Sequence, residues 1–229
     1  MSELDRIRGR YRERDADAAL TGFWTLRNPV VLHLAQERER RVLQALTAAG
    51  VALAGRRLLD VGCGAGQEFG AFLRWGADPD LMWGVDLSLD RLATARQCST
   101  AVLALASGSA LPFPDASFDL VCQNVVFSSI VDAATRRATA AEMRRVLRPG
   151  GHLLWYDAAR TRSRDPHFRP VPRAEVEALF PGLRWRWQSL SSDLGVLRRV
   201  GAGLGEPGMC AVDMLRVART HLLGLGMLA

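Results

Sequence analysis

The sequence predicts an α/β fold in which a mostly parallel sheet carries helices on both faces. Three observations point to it: short apolar runs bounded by glycine or polar residues, segments of helical period between them, and a glycine-rich turn after the first run. Residues 57–62 (RLLDVG) form a compact apolar run ending in glycine, the pattern of a strand buried on both sides. A helix over 66–75 and a strand over 82–87 (MWGVDL) are expected next, and Ser88 stands where an N-cap would start a helix over 89–97. Strands are expected at 101–106 and 118–123, then an amphipathic helix over 132–147 halted by Pro149-Gly150, then a strand over 152–157. Strands alternating with helices at this interval are βαβ units, joined by right-handed crossovers.

The flanks are less regular. Residues 1–30 are charged, then aromatic, and end in an expected turn at Asn28-Pro29. From Val30 to Ala49 the pattern is helical, with Glu37 four residues before Arg41 in the favourable order and Gly50 placed to cap. After Asp157 come an arginine- and proline-bearing loop (158–172), a short helix (173–180) and an alternating strand (184–190, RWRWQSL). A glycine-rich stretch (195–208), a helix over 208–220 and a final strand or frayed tail over 221–228 complete the chain. We read one domain: a helical extension or lid (1–50), a core (51–157) and a C-terminal part on the substrate side (158–229).

All 30 basic side chains are arginine. Without lysine there is no Schiff-base residue, no phosphate-loop lysine and no pyridoxal attachment point. The four cysteines lie far apart, and no histidine stands at ligand spacing, so neither a disulfide scaffold nor a metal site is expected. The charged N-terminus lacks a secretion-signal core, and no apolar run approaches the roughly 20 residues that span a bilayer. A cytoplasmic protein, monomeric or homodimeric, is expected. Its positive charge is local: nine arginines face four acidic residues between 158 and 200, whereas residues 1–20 balance at five against five.

The chemistry concentrates at residues 58–67, LLDVGCGAGQ. Gly62, Gly64 and Gly66 let the backbone turn sharply and let a ligand approach without meeting a Cβ, and the following helix offers free N–H groups. Asp86 closes the next strand beside the same crevice, where a carboxylate can accept from both hydroxyls of a ribose. The dinucleotide fingerprint GxGxxG wants glycine where Gln67 stands, and Asp60 is an awkward neighbour for a pyrophosphate. A carboxylate there suits a cationic amino group, so a nicotinamide-dependent oxidoreductase is the lesser alternative.

On these residues the chain resembles the class I S-adenosylmethionine-dependent methyltransferases of small-molecule type, the group that includes the ubiquinone and menaquinone methyltransferases. Five blocks in order carry the resemblance across 57–157: LLDVGCGAGQ, GVDLS, ALPFPDASFDLV, VVFSSI and EMRRVLRPGGHLLW. It implies a Rossmann-like, seven-stranded sheet with an antiparallel last strand. It implies S-adenosylmethionine as cofactor, leaving S-adenosylhomocysteine as product. Carried over by position, Gly62, Gly64 and Gly66 would lie along the cofactor, with Asp60 at the methionine end, Asp86 at the ribose and Leu87 at the adenine face. Ser109 and Ala110 would flank the adenine edge, and Asn124 and Val125 would sit near the methionine moiety. Many relatives carry aspartate at the position of Ser109, and a hydroxyl accepts less strongly from the adenine amino group.

Methyl transfer from a sulfonium needs a base only where the acceptor is protonated. The candidates are His33, His152, His167, His221, Tyr11, Tyr156 and Asp157. Asp157 is the first choice, with Tyr156, because both fall at the carboxyl end of a strand. His33 sits in the first long helix and reads more readily as a packed or surface residue than as a base, and His152 opens its strand at the far edge. Tyr11, Trp24 and Arg27 precede the core and could form an aromatic lid over the cofactor. Cys63, Phe118 and Asp119 read as packing and fold residues. A nucleic-acid methyltransferase is the other alternative, prompted by the basic charge and by RWRWQ, which resembles a stacking platform. Against it, no proline-aromatic motif follows Asn124 and no Pro-Cys pair occurs, and alternation on a strand explains RWRWQ more simply. The expected partner is a small-molecule acceptor, with arginines 160–200 favouring a carboxylate or phosphate.

Overall fold

The computed structural model describes residues 2–216 and 218–229. Five parallel strands form the centre: β1 (Leu58–Val61), β2 (Met82–Asp86), β3 (Val102–Leu105), β4 (Phe118–Asn124) and β5 (Leu147–Ala158). Two more complete one edge, β6 (Leu183–Ser192) and β7 (Arg219–Leu228). The order is β3-β2-β1-β4-β5-β7-β6, and β7 alone runs antiparallel to its neighbours β5 and β6. This is the expected Rossmann-like sheet, and residues 221–228 are a strand rather than a tail.

Helices α3 (Pro29–Ala48), α4 (Gln67–Arg74) and α5 (Leu89–Cys98) cover one face, burying Val42, Leu46, Phe69, Phe72 and Leu92. On the other face α6 (Ala133–Val146) and α7 (Arg173–Leu179) bury Met143, Val146 and Val176 against Val121, Leu153 and Trp155. Local chemistry starts these helices where the sequence suggests. Ser88 accepts from the Arg91 N–H, and Asp132 accepts from the Thr135 N–H at 2.6 Å. The Asn28-Pro29 turn is itself a helix start, since Asn28 accepts from the Val30 N–H and proline takes the first helical position.

Two short helices precede these, α1 (Glu3–Ala16) and α2 (Ala18–Phe23). α1 buries only Ile7, so it shows no apolar period; Ser2 caps it and Glu3–Arg6 and Arg10–Glu13 pairs brace it. It docks across the carboxyl edge of the sheet. The Glu3 carboxylate accepts from the Val131 and Asp132 N–H groups, Arg6 donates to the Ser129 carbonyl, and Asp15 pairs with Arg91.

The segment after β6 departs from expectation. In place of a glycine-rich loop and a helix over 208–220, α8 runs Leu194–Met214 with a break at Gly205 (φ 62°). The break folds the helix back on itself, and a Cβ at Gly208 would overlap the Leu204 and Val200 side chains. The glycines thus serve close packing inside a helix, and β7 has begun by Arg219. No helix among the described residues is long and apolar enough to cross a membrane.

The RWRWQ segment lies on β6, where Trp185 and Trp187 stack with ring centroids 4.6 Å apart on the face away from Arg184 and Arg186. The rings cover Gly224 and Gly226 of β7, and Trp187 donates to Glu177. They are part of the sheet's packing. A Cβ at Gly224 would collide with the Trp187 ring. Gly224→Ala should therefore lower stability by about 1–3 kcal/mol, read as a lower denaturant midpoint at unchanged m-value.

Candidate active site

The carboxyl edge of the parallel strands opens into two adjoining cavities. The first, of about 410 Å³, is bounded by Asp60, Gly62, Gly64, Glu68, Asp86 and Leu87, with Ser107 and Gly108 at one end. The second, of about 790 Å³, lies between α1, α3, the segment 160–168 and the start of β7. Tyr11, Trp24, Asn124, Val125 and Ser129 face both, so one wall separates and joins them. Arg27 lines neither.

The glycine turn is shaped by its neighbours. Gly62, Gly64 and Gly66 all have positive φ, a backbone that side chains rarely adopt. A Cβ at Gly62 would stand 2.5 Å from a Val126 methyl, whereas one at Gly64 would meet only Gln67 Oε1 at 3.6 Å. Gly66 lies off the cavity wall and allows α4 to approach α5, since a Cβ there would press on Ala95 and Phe69. Its observed role is to let the two helices pack closely.

Asp86 holds this loop together. One carboxylate oxygen accepts from the Gly64 N–H at 2.9 Å and the other from the Ser88 N–H at 2.8 Å. Asp60 is 2% exposed, and among the described residues no group hydrogen-bonds its carboxylate. Burial pushes its pKa well above the ordinary range; the Glu68 charge adds to this, Arg38 opposes it and Asp86 adds a little more. A buried carboxylate left this way on a cavity wall is suited to a cationic ligand group. Glu68 closes the same corner, accepting from Arg38 at 2.7 Å and from the Asn124 amide at 2.9 Å.

Val125 is the strained point of the wall, a β-branched residue at φ 56°. Its N–H donates to the Tyr156 carbonyl at 2.8 Å, and the buried Gln123 amide bridges that carbonyl and the Val126 N–H. Ser109 and Ala110 stand just outside the cavity that Ser107 and Gly108 line, and the Ser109 hydroxyl is bonded to that of Ser107 at 2.7 Å. Of the pair expected at the adenine edge neither lines this cavity, whereas Ser107 and Gly108 do. Cys63 lines the cofactor-sized cavity, but burial pushes its thiol up and out of the reactive range.

The catalytic expectations divide. Tyr156 lines the larger cavity, its hydroxyl on Ser191 at 2.7 Å, and burial raises it to about 12. Asp157 points to the other side of β5: it is fully buried, lines neither cavity, and accepts from the N–H groups of Ser128 and Ala158. It is corrected to an anchor for the turn after β4. His33 is corrected too, since it is buried beneath the cavities with its Nε2 2.8 Å from Asp213, near Glu206 and Cys210. Asp119 ties the opposite end of the sheet, accepting from Arg57 N–H and pairing with Arg148. Sequence reasoning missed Glu68, Arg38, Gln123 and Arg91. Of these, only Glu68, an acid in the first turn after the glycines, carries a local signal.

Comparisons with known proteins bear on the core that carries these cavities. Residues 59–155 match the methyltransferase domain family. A ubiquinone/menaquinone biosynthesis C-methyltransferase of Cupriavidus taiwanensis is 28% identical over 144 residues, 61% of this chain and 56% of that one. A fatty-acid O-methyltransferase of Mycolicibacterium smegmatis is 39% identical over 115 residues, 49% of this chain and 40% of that one. The chain thus spans about half the length of these relatives. Among solved structures, one titled a putative sarcosine dimethylglycine methyltransferase from Galdieria sulphuraria superposes with a TM-score of 0.65 at 16% identity, covering 87% of this chain and 88% of that one. Residues 59–155 are thus similar to the methyltransferase domain family, and the solved structures share the fold of the whole sheet.

Two measurements follow. Asp86→Ala should weaken S-adenosylmethionine binding by about 1.5–3 kcal/mol for each hydrogen bond lost to a charged acceptor, read by calorimetry. Burial raises Asp157 from 3.8 to about 6. The folded protein therefore holds a proton that the unfolded chain has released, and stability falls as pH rises through that window. Between about pH 4 and 6, wild type should lose up to about 3 kcal/mol relative to Asp157→Asn, followed by urea denaturation.

Proposed function

We propose that the protein transfers the methyl group of S-adenosylmethionine to a small-molecule acceptor that carries a carboxylate or phosphate. The observation that carries this reading is the larger cavity, which adjoins the cofactor-sized one and has Arg14, Arg160 and Arg162 along its wall. None of the three makes an ion pair within 4 Å among the described residues, in contrast with Arg6, Arg10 and Arg38 nearby. Guanidinium groups free of salt bridges beside an apolar wall of Ile7, Leu34 and Phe168 suit an acceptor with an apolar body and an anionic group. A fatty-acid O-methyltransferase among the relatives is in keeping with such chemistry.

When bound, the cofactor supplies an activated methyl group on a sulfonium. Asp60 and Glu68 would stand by its cationic amino group, Asp86 would accept from the ribose hydroxyls, and Leu87 would pack against the adenine. Asn124 and Val125 would set the passage between donor and acceptor. α1 would be the lid, with Tyr11 under the Arg91 guanidinium at 4.1 Å from its ring centroid and bonded to Ser129. Its closure would exclude water and hold the reactants together.

Incubating the protein with methyl-labelled cofactor and a set of small organic acids, each paired with its neutral amide, tests the reading. Label should pass to acids and not to the amides, and Arg160→Gln/Arg162→Gln should weaken acid binding about tenfold while leaving cofactor affinity unchanged. Transfer to the amides alone would refute an anionic acceptor.

A further inference from the structure

We propose that His221 is the general base of the acceptor site and that the acceptor atom is a hydroxyl oxygen. This rests on the assignment of the larger cavity to an anionic acceptor. His221 sits near the start of β7, paired with Ala158 at the end of β5 and with Leu190 of β6, and it lines that cavity. Its ring is fixed on one side by Tyr156, stacked at 5.2 Å and 13°.

The hydrogen bonds around Thr220 determine which nitrogen carries the proton. The Thr220 hydroxyl donates to the Ser191 carbonyl at 2.8 Å. A hydroxyl has one proton, so in its 2.9 Å contact with His221 Nδ1 the same oxygen accepts, and Nδ1 must be the protonated nitrogen. Nε2 is left with a lone pair and has no partner among the described residues. The imidazole is therefore oriented by a fixed partner and presents an unprotonated nitrogen, the arrangement a base requires.

The charged groups of this part of the site are Arg38 on α3, Arg160 and Arg162 after β5, and Asp193 before α8. Glu37 lies behind, accepting from the Ser191 N–H. Burial lowers His221 to about 4, so the ring is neutral at physiological pH. An acceptor carrying its own anionic group stabilises the imidazolium form and so raises the basicity of the neutral ring on binding. In the reaction the acceptor O–H bond breaks and its proton passes to Nε2. The oxygen–methyl bond forms as the carbon–sulfur bond breaks, its electron pair remaining on sulfur. The imidazolium then releases its proton to water. A carboxylate acceptor would need no such base, so the arrangement selects a hydroxy acid over a simple acid as the methylated group.

The test uses protein labelled with ¹⁵N-histidine and saturated with S-adenosylhomocysteine. NMR should show His221 as the neutral Nδ1–H tautomer between about pH 5.5 and 8. 4-Hydroxybenzoate should bind about tenfold more tightly than benzoate and shift the Nε2 resonance. His221→Asn, whose amide can still donate to Thr220, should bind the two alike. An Nε2–H tautomer, or equal affinities in wild type, would overturn the role of His221 and leave the anionic-acceptor reading standing. If neither acid binds, the assignment of the cavity fails, and the proposal with it.

Discussion

Strand direction is the constraint on which the site depends. Each parallel strand delivers its carboxyl end to the same edge, so Asp60, Asp86, Asn124 and Tyr156 arrive together although they are far apart in sequence. β7 runs the other way and delivers its amino end there instead. His221 thereby reaches an edge that a parallel strand in its place would have denied it. Reversing one strand adds an imidazole to a rim otherwise built of carboxylates, an amide, a phenol and backbone.

The rim is held by hydrogen bonds that double as spacing devices. Asp86 uses both oxygens to bind the glycine turn to the start of α5, and the Gln123 amide fastens the turn after β4 to β5. The second fastening sustains Val125 in a backbone conformation that costs about 1–3 kcal/mol for such a residue. That cost is borne on the wall that the two cavities share.

The sheet was legible because buried parallel strands leave compact apolar runs and their turns leave glycines, both of which are local signals. The residues of the smaller cavity were legible for the same reason: Asp60, Gly62, Gly64 and Asp86 lie on or beside those turns. Those of the larger cavity were not. Tyr156 and Asp157 are neighbours at a strand end, but successive side chains point to opposite faces, and only packing shows that the tyrosine faces the cavity. His33 and His221 looked alike in sequence, and the packing of α8 and the direction of β7 separate them. α8 itself was obscured because its glycines suggested a loop, while in the fold they let its two halves lie close.

The N-terminal helix is fastened mainly by guanidinium groups. Arg6, Arg10 and Arg91 grip the Ser129 carbonyl, Asp165 and Asp15, and each of these carboxylates is held below its usual pKa. Guanidinium keeps its charge at any pH that proteins tolerate, where a lysine ammonium would begin to lose it under alkaline conditions. The clasp over the two cavities is therefore nearly blind to acidity and responsive to salt. Individually such half-exposed pairs are weak, about 0–1 kcal/mol. Together they make ionic strength, rather than proton concentration, the condition to which the docking of this helix responds.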